Sequence, residues 1–163
     1  MSSETIVTAI FLITAVVAAG ILTSQIFPAI YTMSGSVSSS AKSADQTLRT
    51  DVAIVNSFAN TSHYAQIWIK NTGSSRIHIA DLNTSTIFIG SSQDIGTVPL
   101  DSTLSGDGWT YEILGDNNNG YWDPMETLHI TVFKTNLPGT GSVVSFQMVL
   151  PDGTKRTEEF TVS

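Results

Sequence analysis

The sequence predicts an α+β chain: one long hydrophobic helix over residues 1–50, then an all-β antiparallel sandwich of immunoglobulin-like size over residues 51–163. Three observations carry this. No charged side chain occurs between Glu4 and Lys42, and residues 6–30 are apolar or small apart from Gln25 and a few serines and threonines. From Asp51 the apolar period drops to two, the signature of strands half-buried on one face. Turn-forming clusters of Asn, Gly, Pro and Ser then punctuate the chain.

The first element begins at Ser2 and Ser3, candidate N-caps, with Glu4 placing a carboxylate where the helix dipole favours it. A bilayer core about 30 Å thick needs about 20 apolar residues of helix, and residues 6–30 supply them. Ile6, Ile10, Ile13, Val17 and Ile21 give the run its bulk, and Ala18, Ala19 and Gly20 form a small-residue patch that lets another helix approach closely. Pro28 lacks an N–H and is expected to kink the helix near Thr23 and Ser24. Beyond the run, Ile30, Met33, Val37, Ala41, Ala44, Leu48 and Val52 continue at steps of three and four, close to the about 3.5-residue period of a coiled-coil seam. An unbroken helix over residues 3–49 would be about 70 Å long, far more than a bilayer is thick. Such a helix asks for copies of itself or for partners. Two alternatives stand beside it: residues 34–43 as a flexible stalk around Gly35, and Val17-Ala18-Ala19-Gly20 as a signal-peptide cleavage region, although no cation precedes the apolar run.

Strands are expected at about residues 51–59, 63–71, 76–80, 86–90, 109–114, 127–134, 142–150 and 155–162. In the first, Val52, Ile54 and Phe58 alternate with smaller or polar neighbours; in the second, Ala65, Ile67 and Ile69 alternate with Tyr64, Gln66, Trp68 and Lys70. Turns fall at Asn60-Thr61-Ser62, Asn71-Thr72-Gly73, Asn83-Thr84, residues 117–120, residues 138–141 and Pro151-Asp152-Gly153. Eight short strands at this spacing read as a sandwich, without the buried cysteine pair of antibody domains.

The chain has 163 residues and a formal net charge of −7, with only seven Lys and Arg, so it has no basic cluster for nucleic acid. With no cysteine, neither a disulfide framework nor a thiolate metal site can form. Asn60 and Asn83 head Asn-X-Ser/Thr sequons in turns, candidate N-glycosylation sites of an exposed domain.

The sharpest local cluster is residues 116–126, where Asp116, Asn118, Asp123 and Glu126 surround a glycine turn with the hard oxygen ligands of a calcium loop. The spacing is not that of an EF-hand, and an Asn/Gly-rich hairpin loop accounts for it as well; no metal or other cofactor is expected. His63, His78 and His129 lie in or beside separate strands without metal-ligand spacing, and no GxSxG elbow or glycine-rich phosphate loop is present. Trp68, Trp109 and Trp122 could line a ligand surface, but three Trp in a β domain are more often core, and they are expected there. No active site and no enzymatic activity are expected.

The ordered set SSETIVTAIFLITAVVAAGIL, RTDVAIVNSF, IWIKNTGSSRI, TIFIGS, WTYEIL, WDPMETLHI and VVSFQMVLPDGTKRTEEFTV resembles the archaellum accessory proteins of the FlaG and FlaF type. The resemblance covers nearly the whole chain. It implies a type IV pilin-like architecture, in which the N-terminal helix anchors or polymerises and the β-sandwich faces outward. It also implies a non-enzymatic part of the archaeal motility machinery: a filament or stator element in the pseudoperiplasm, between membrane and surface layer around the archaellum. The partners implied are other copies of the chain, a companion of the FlaF type, a surface-layer protein and the membrane. The Lys/Arg-Gly cleavage site usual before the hydrophobic stretch of such precursors is missing, which implies an unprocessed or an already mature chain. An archaellin or pilin filament subunit is the second reading within this group, and beginning at Met1 weighs against it. A membrane-anchored sandwich that binds a surface ligand or glycan is the reading from a different class.

Overall fold

The computed structural model describes residues 2–61, 63–91 and 93–163. Helix α1, Ser2–Arg49, runs unbroken for 48 residues through Pro28 and Gly35, so residues 34–43 are helix and not a coil stalk. Glu4 in its first turn and Arg49 in its last complement the dipole, and Arg49 pairs with Asp45 one turn earlier at 3.0 Å. The chain divides after Ala44 into two compact units, the second spanning Asp45–Ser163.

Within the second unit the end of α1 is held by backbone. Thr50 donates from both its amide and its Oγ1 to the Gln46 carbonyl, closing the last turn. The Arg49 carbonyl, an orphan acceptor of the helix C-terminus, accepts the amides of Ser74 and Ser75, and the Asp51 carbonyl accepts those of Thr72 and Gly73. Gly73 is required by this closeness, because a Cβ there would lie 2.4 Å from the Arg49 carbonyl oxygen. Arg156 completes the clamp by donating to the Val52 carbonyl at 2.6 Å and pairing with the Asp51 carboxylate.

The β unit contains β1 (Val52–Ala59), β2 (Tyr64–Asn71), β3 (Ile77–His78), the short helix α2 (Ile79–Asn83), β4 (Thr86–Ser91), β5 (Asp94–Val98), β6 (Gly108–Leu114), β7 (Tyr121–Trp122), β8 (Thr127–Phe133), β9 (Val143–Val149) and β10 (Lys155–Thr161). Two four-stranded antiparallel sheets, ordered β1-β2-β8-β6 and β10-β9-β4-β5, pack face to face, and β3 pairs with β7 in a small third sheet. Between them Ile67, Ile69, Leu82, Ile87, Ile89, Trp109, Trp122, Leu128, Ile130, Val132, Phe146 and Met148 are buried. The predicted α+β class with an antiparallel sandwich is the observed one.

Five expectations need correction. Val52 does not continue the helical stripe, because α1 ends at Arg49 and Val52 is buried at the start of β1. Phe58 does not follow Val52 and Ile54 inward: a β-bulge between Ile54 and Asn56 reverses the alternation, turning Phe58 out and Ala59 in. The strand expected over residues 76–80 is only Ile77–His78, because the His78 ring nitrogen Nδ1 accepts the Ala80 amide and starts α2. Two strands were not expected: the edge strand β5, short and interrupted by Gly96, and β7, whose two aromatic residues directly follow the Asn- and Gly-rich turn. Trp109 and Trp122 are core residues, but Trp68 lies on the outer face of its sheet.

Candidate assembly surface

Along α1 the apolar side chains have no cover. Ile6, Ile10, Ile13, Val17, Ile21, Ile30, Met33 and Val37 are each more than half exposed, as are Phe11, Leu12, Val16 and Leu22 between them. Leu48, in the last turn, reaches 86% exposure. The helix meets the length and composition needed to cross a membrane, and none of its most apolar window is buried. Burying one such side chain stabilises by about 1.5–3 kcal/mol, so this surface holds the largest interaction free energy the chain has yet to realise. At Gly20 an added Cβ would meet nothing within 4 Å, so the small-residue patch of Ala18, Ala19 and Gly20 borders open space.

The polar side chains on this helix are treated differently from the apolar ones. Every serine and threonine from Thr8 to Thr32 turns its hydroxyl back on the helix: Thr8 donates to the Glu4 carbonyl, Thr14 to Ile10, Thr23 to Ala19, Ser24 to Ile21 and Thr32 to Pro28, at 2.8–2.9 Å. The hydroxyls are thereby satisfied without water, the condition for surviving in hydrocarbon or in a packed helix core. Gln25 makes no such bond.

The residues 116–126 loop is closed on itself. Asp116 Oδ1 accepts the Asn118 amide at 2.8 Å, Asp123 Oδ2 accepts the side-chain amides of Asn117 and Asn119, and Glu126 Oε2 accepts the Asp123 amide at 2.8 Å. Asn118 and Gly120 take positive φ, which gives the turn its tightness. Among the described residues no group of three or more His, Asp and Glu converges as a metal site would require. The three histidines stay apart: His78 caps α2, His129 stacks on Trp68 at 4.6 Å between centroids, and His63 sits at positive φ before β2. Of the sequon asparagines, Asn60 accepts the Tyr64 amide through Oδ1 and Asn83 accepts the Tyr111 hydroxyl at 2.6 Å; Ser62 of the first sequon lies outside the described residues.

A family model described as archaeal-type flagellin matches residues 2–160. The chain belongs to the archaeal-type flagellin family. It is a structural protein and not an enzyme. An uncharacterized protein of Archaeoglobus fulgidus is 32% identical over 137 residues, covering 81% of each chain. Among solved structures, the archaellum periplasmic stator protein FlaG of Sulfolobus acidocaldarius matches with a TM-score of 0.57 at 19% identity, over 68% of this chain and 99% of that one. The archaeal flagellum of Methanospirillum hungatei strain JF1 matches with a TM-score of 0.70 at 15% identity, over 96% of this chain and 92% of that one.

One surface was not legible in advance. On the outer face of β2 and β8, Trp68 faces His129 and Tyr64 faces Phe133, whose rings lie 5.0 Å apart, with Phe58 turned out beside them by the bulge. The strand alternation placed Tyr64 and Trp68 on one side, but it takes the register with β8 to show that they meet aromatic partners there.

Proposed function

We propose that this protein is a self-assembling structural component of an archaellum, built through α1 into a filament or stator element. The single observation that carries the reading is the complete exposure of a membrane-length apolar helix in a chain whose β unit buries its own apolar residues. In this reading Ile6, Ile10, Ile13, Val17, Ala18, Gly20, Ile21, Ile30, Met33, Val37 and Leu48 form the assembly face. The helix lies in the membrane or the filament core of an archaeal cell envelope, and the β unit stands outside it, in the pseudoperiplasm. A companion of the FlaF type is a further partner, supported by the likeness to a solved complex of FlaF and FlaG from Sulfolobus acidocaldarius, with a TM-score of 0.56 at 18% identity over 67% of this chain. A surface-layer protein is the expected outer contact, made through the acidic, Asn- and Gly-rich loops.

A second reading, a filament subunit of the archaellin kind, is favoured by one observation: the flagellum match takes in 96% of the chain and therefore includes α1, whereas the FlaG match covers 68%. Negative-stain microscopy of the full-length protein after detergent removal separates the outcomes. Long filaments of the protein alone support the subunit, and short or closed assemblies that need a companion support the stator element. Dispersed monomers seated singly in vesicles would overturn both.

A further inference from the structure

Gln25 is conspicuous on α1 because every serine and threonine around it is bonded and its amide is not. Its side chain offers two N–H donors and one carbonyl acceptor, which no lipid tail can meet. Three residues on, Pro28 sits within the continuous helix without an N–H, so the carbonyl of Ser24 loses the donor that an ordinary residue would supply. The Ser24 hydroxyl does not compensate, because it donates to Ile21 at 2.8 Å. At about 100° per residue, Gln25 and Pro28 lie about 60° apart around the helix, so the free amide and the freed carbonyl share one side. The uncharged run thus carries, on one side, an amide outside the helix's own hydroxyl bonding and a carbonyl that Pro28 cannot serve.

We infer that Gln25 and Ser24 pin the register of the helix assembly, with the Gln25 amide of one copy donating to the Ser24 carbonyl of a second copy of this chain. The inference rests on the proposed assembly through α1. Donor–acceptor complementarity selects the occupant: a second copy brings the missing acceptor for each free donor and the missing donor for each free acceptor. An apolar run alone tolerates sliding by a turn, because one Ile or Val replaces another at little cost. A single polar pair in an apolar seam forbids it, since any other register leaves the amide unbonded in a dry contact.

The chain has no cysteine, so single reporters can be placed freely. Leu22→Cys and Ala29→Cys flank Gln25 on its own side and are oxidised in the assembled full-length protein, in the Gln25, Gln25→Leu and Gln25→Asn backgrounds, with Val17→Cys as a reporter beside the small-residue patch. The expected result is disulfide formation at residues 22 and 29 that falls about fivefold with Gln25→Leu, the scale of one interhelical side-chain hydrogen bond, and recovers partly with Gln25→Asn. Equal yields with Gln25 and Gln25→Leu overturn the pin while leaving helix assembly standing. Cross-linking at residue 17 with none at 22 or 29 places this side of the helix against lipid and overturns it too. No cross-linking at any position overturns the assembly reading itself.

Discussion

The same residue types meet opposite fates in the two units. Ile67, Ile69, Ile87, Ile89 and Ile130 are sealed in the sandwich, while Ile6, Ile10, Ile13, Ile21 and Ile30 stand more than half exposed on α1. In the β unit, two sheets supply each other's cover and the core closes within one chain. A single helix cannot bury its own surface, so α1 is one side of a core whose other side must come from elsewhere. The hydroxyls show the same division: Tyr111 and Thr135 bond to residues distant in the chain, whereas those from Thr8 to Thr32 bond back to α1 itself.

The strongest test of this contrast is removal. The Asp45–Ser163 unit should be soluble, folded and monomeric by light scattering and circular dichroism, while the full chain forms large assemblies. An unfolded fragment, or one that still polymerises, breaks the division of labour. Single truncations should then separate the two. Phe146→Ala empties a core position and should lower the stability of the β unit by about 3–5 kcal/mol in chemical denaturation, whereas Ile13→Ala should leave that curve unchanged and weaken assembly in sedimentation.

A finer cut runs within the helix. Val37→Asp puts a carboxylate in the stripe and should cost assembly several kcal/mol (about 2 or more) unless it finds a partner. Ser39 lies off the stripe and bonds back to Ser36, so Ser39→Asp should assemble as the parent does. Equal loss from both changes would remove the stripe from the account.

In the β unit, acid should act through two loop carboxylates. The Thr103 hydroxyl and amide, with Ser105, hold the Asp101 carboxyl at about 2 against an ordinary 3.8, and the Thr135 amide and hydroxyl hold Asp107 low as well. Depressed carboxylates stabilise the fold above their unfolded pKa, and that contribution disappears as pH falls through the folded one. The melting temperature of the Asp45–Ser163 unit should therefore drop between about pH 4 and pH 2, and the Asp101→Ala, Asp107→Ala double variant should flatten that slope. The smallest expected effect is none. With its carboxylates engaged by its own amides, the residues 116–126 loop should leave the melting temperature unmoved by calcium. A rise abolished by Asp123→Asn would make the loop a metal site.

The sequence by itself determined the long helix, because an uncharged run of this length admits few other structures. It also determined most strands, because alternation such as that of residues 64–71 reports a half-buried sheet locally. Tertiary structure decided what depends on neighbours. The bulge after Ile54 turned Phe58 outward, since register is a property of a strand pair and not of a strand. The edge strand β5 exists because β4 pairs with it and Gly90 leaves room for the Asp94 carbonyl, although no alternation marks it in the sequence. The aromatic face joining Trp68 to His129 came from two strands separated by about 60 residues. At the end of α1, Gly73 looked like an ordinary turn glycine, and only the folded chain shows it leaving room for the Arg49 carbonyl. Local pattern records which residues want burial; the identity of the surface that provides it is settled by contacts distant in the chain and, in the assembly proposed for α1, by another molecule.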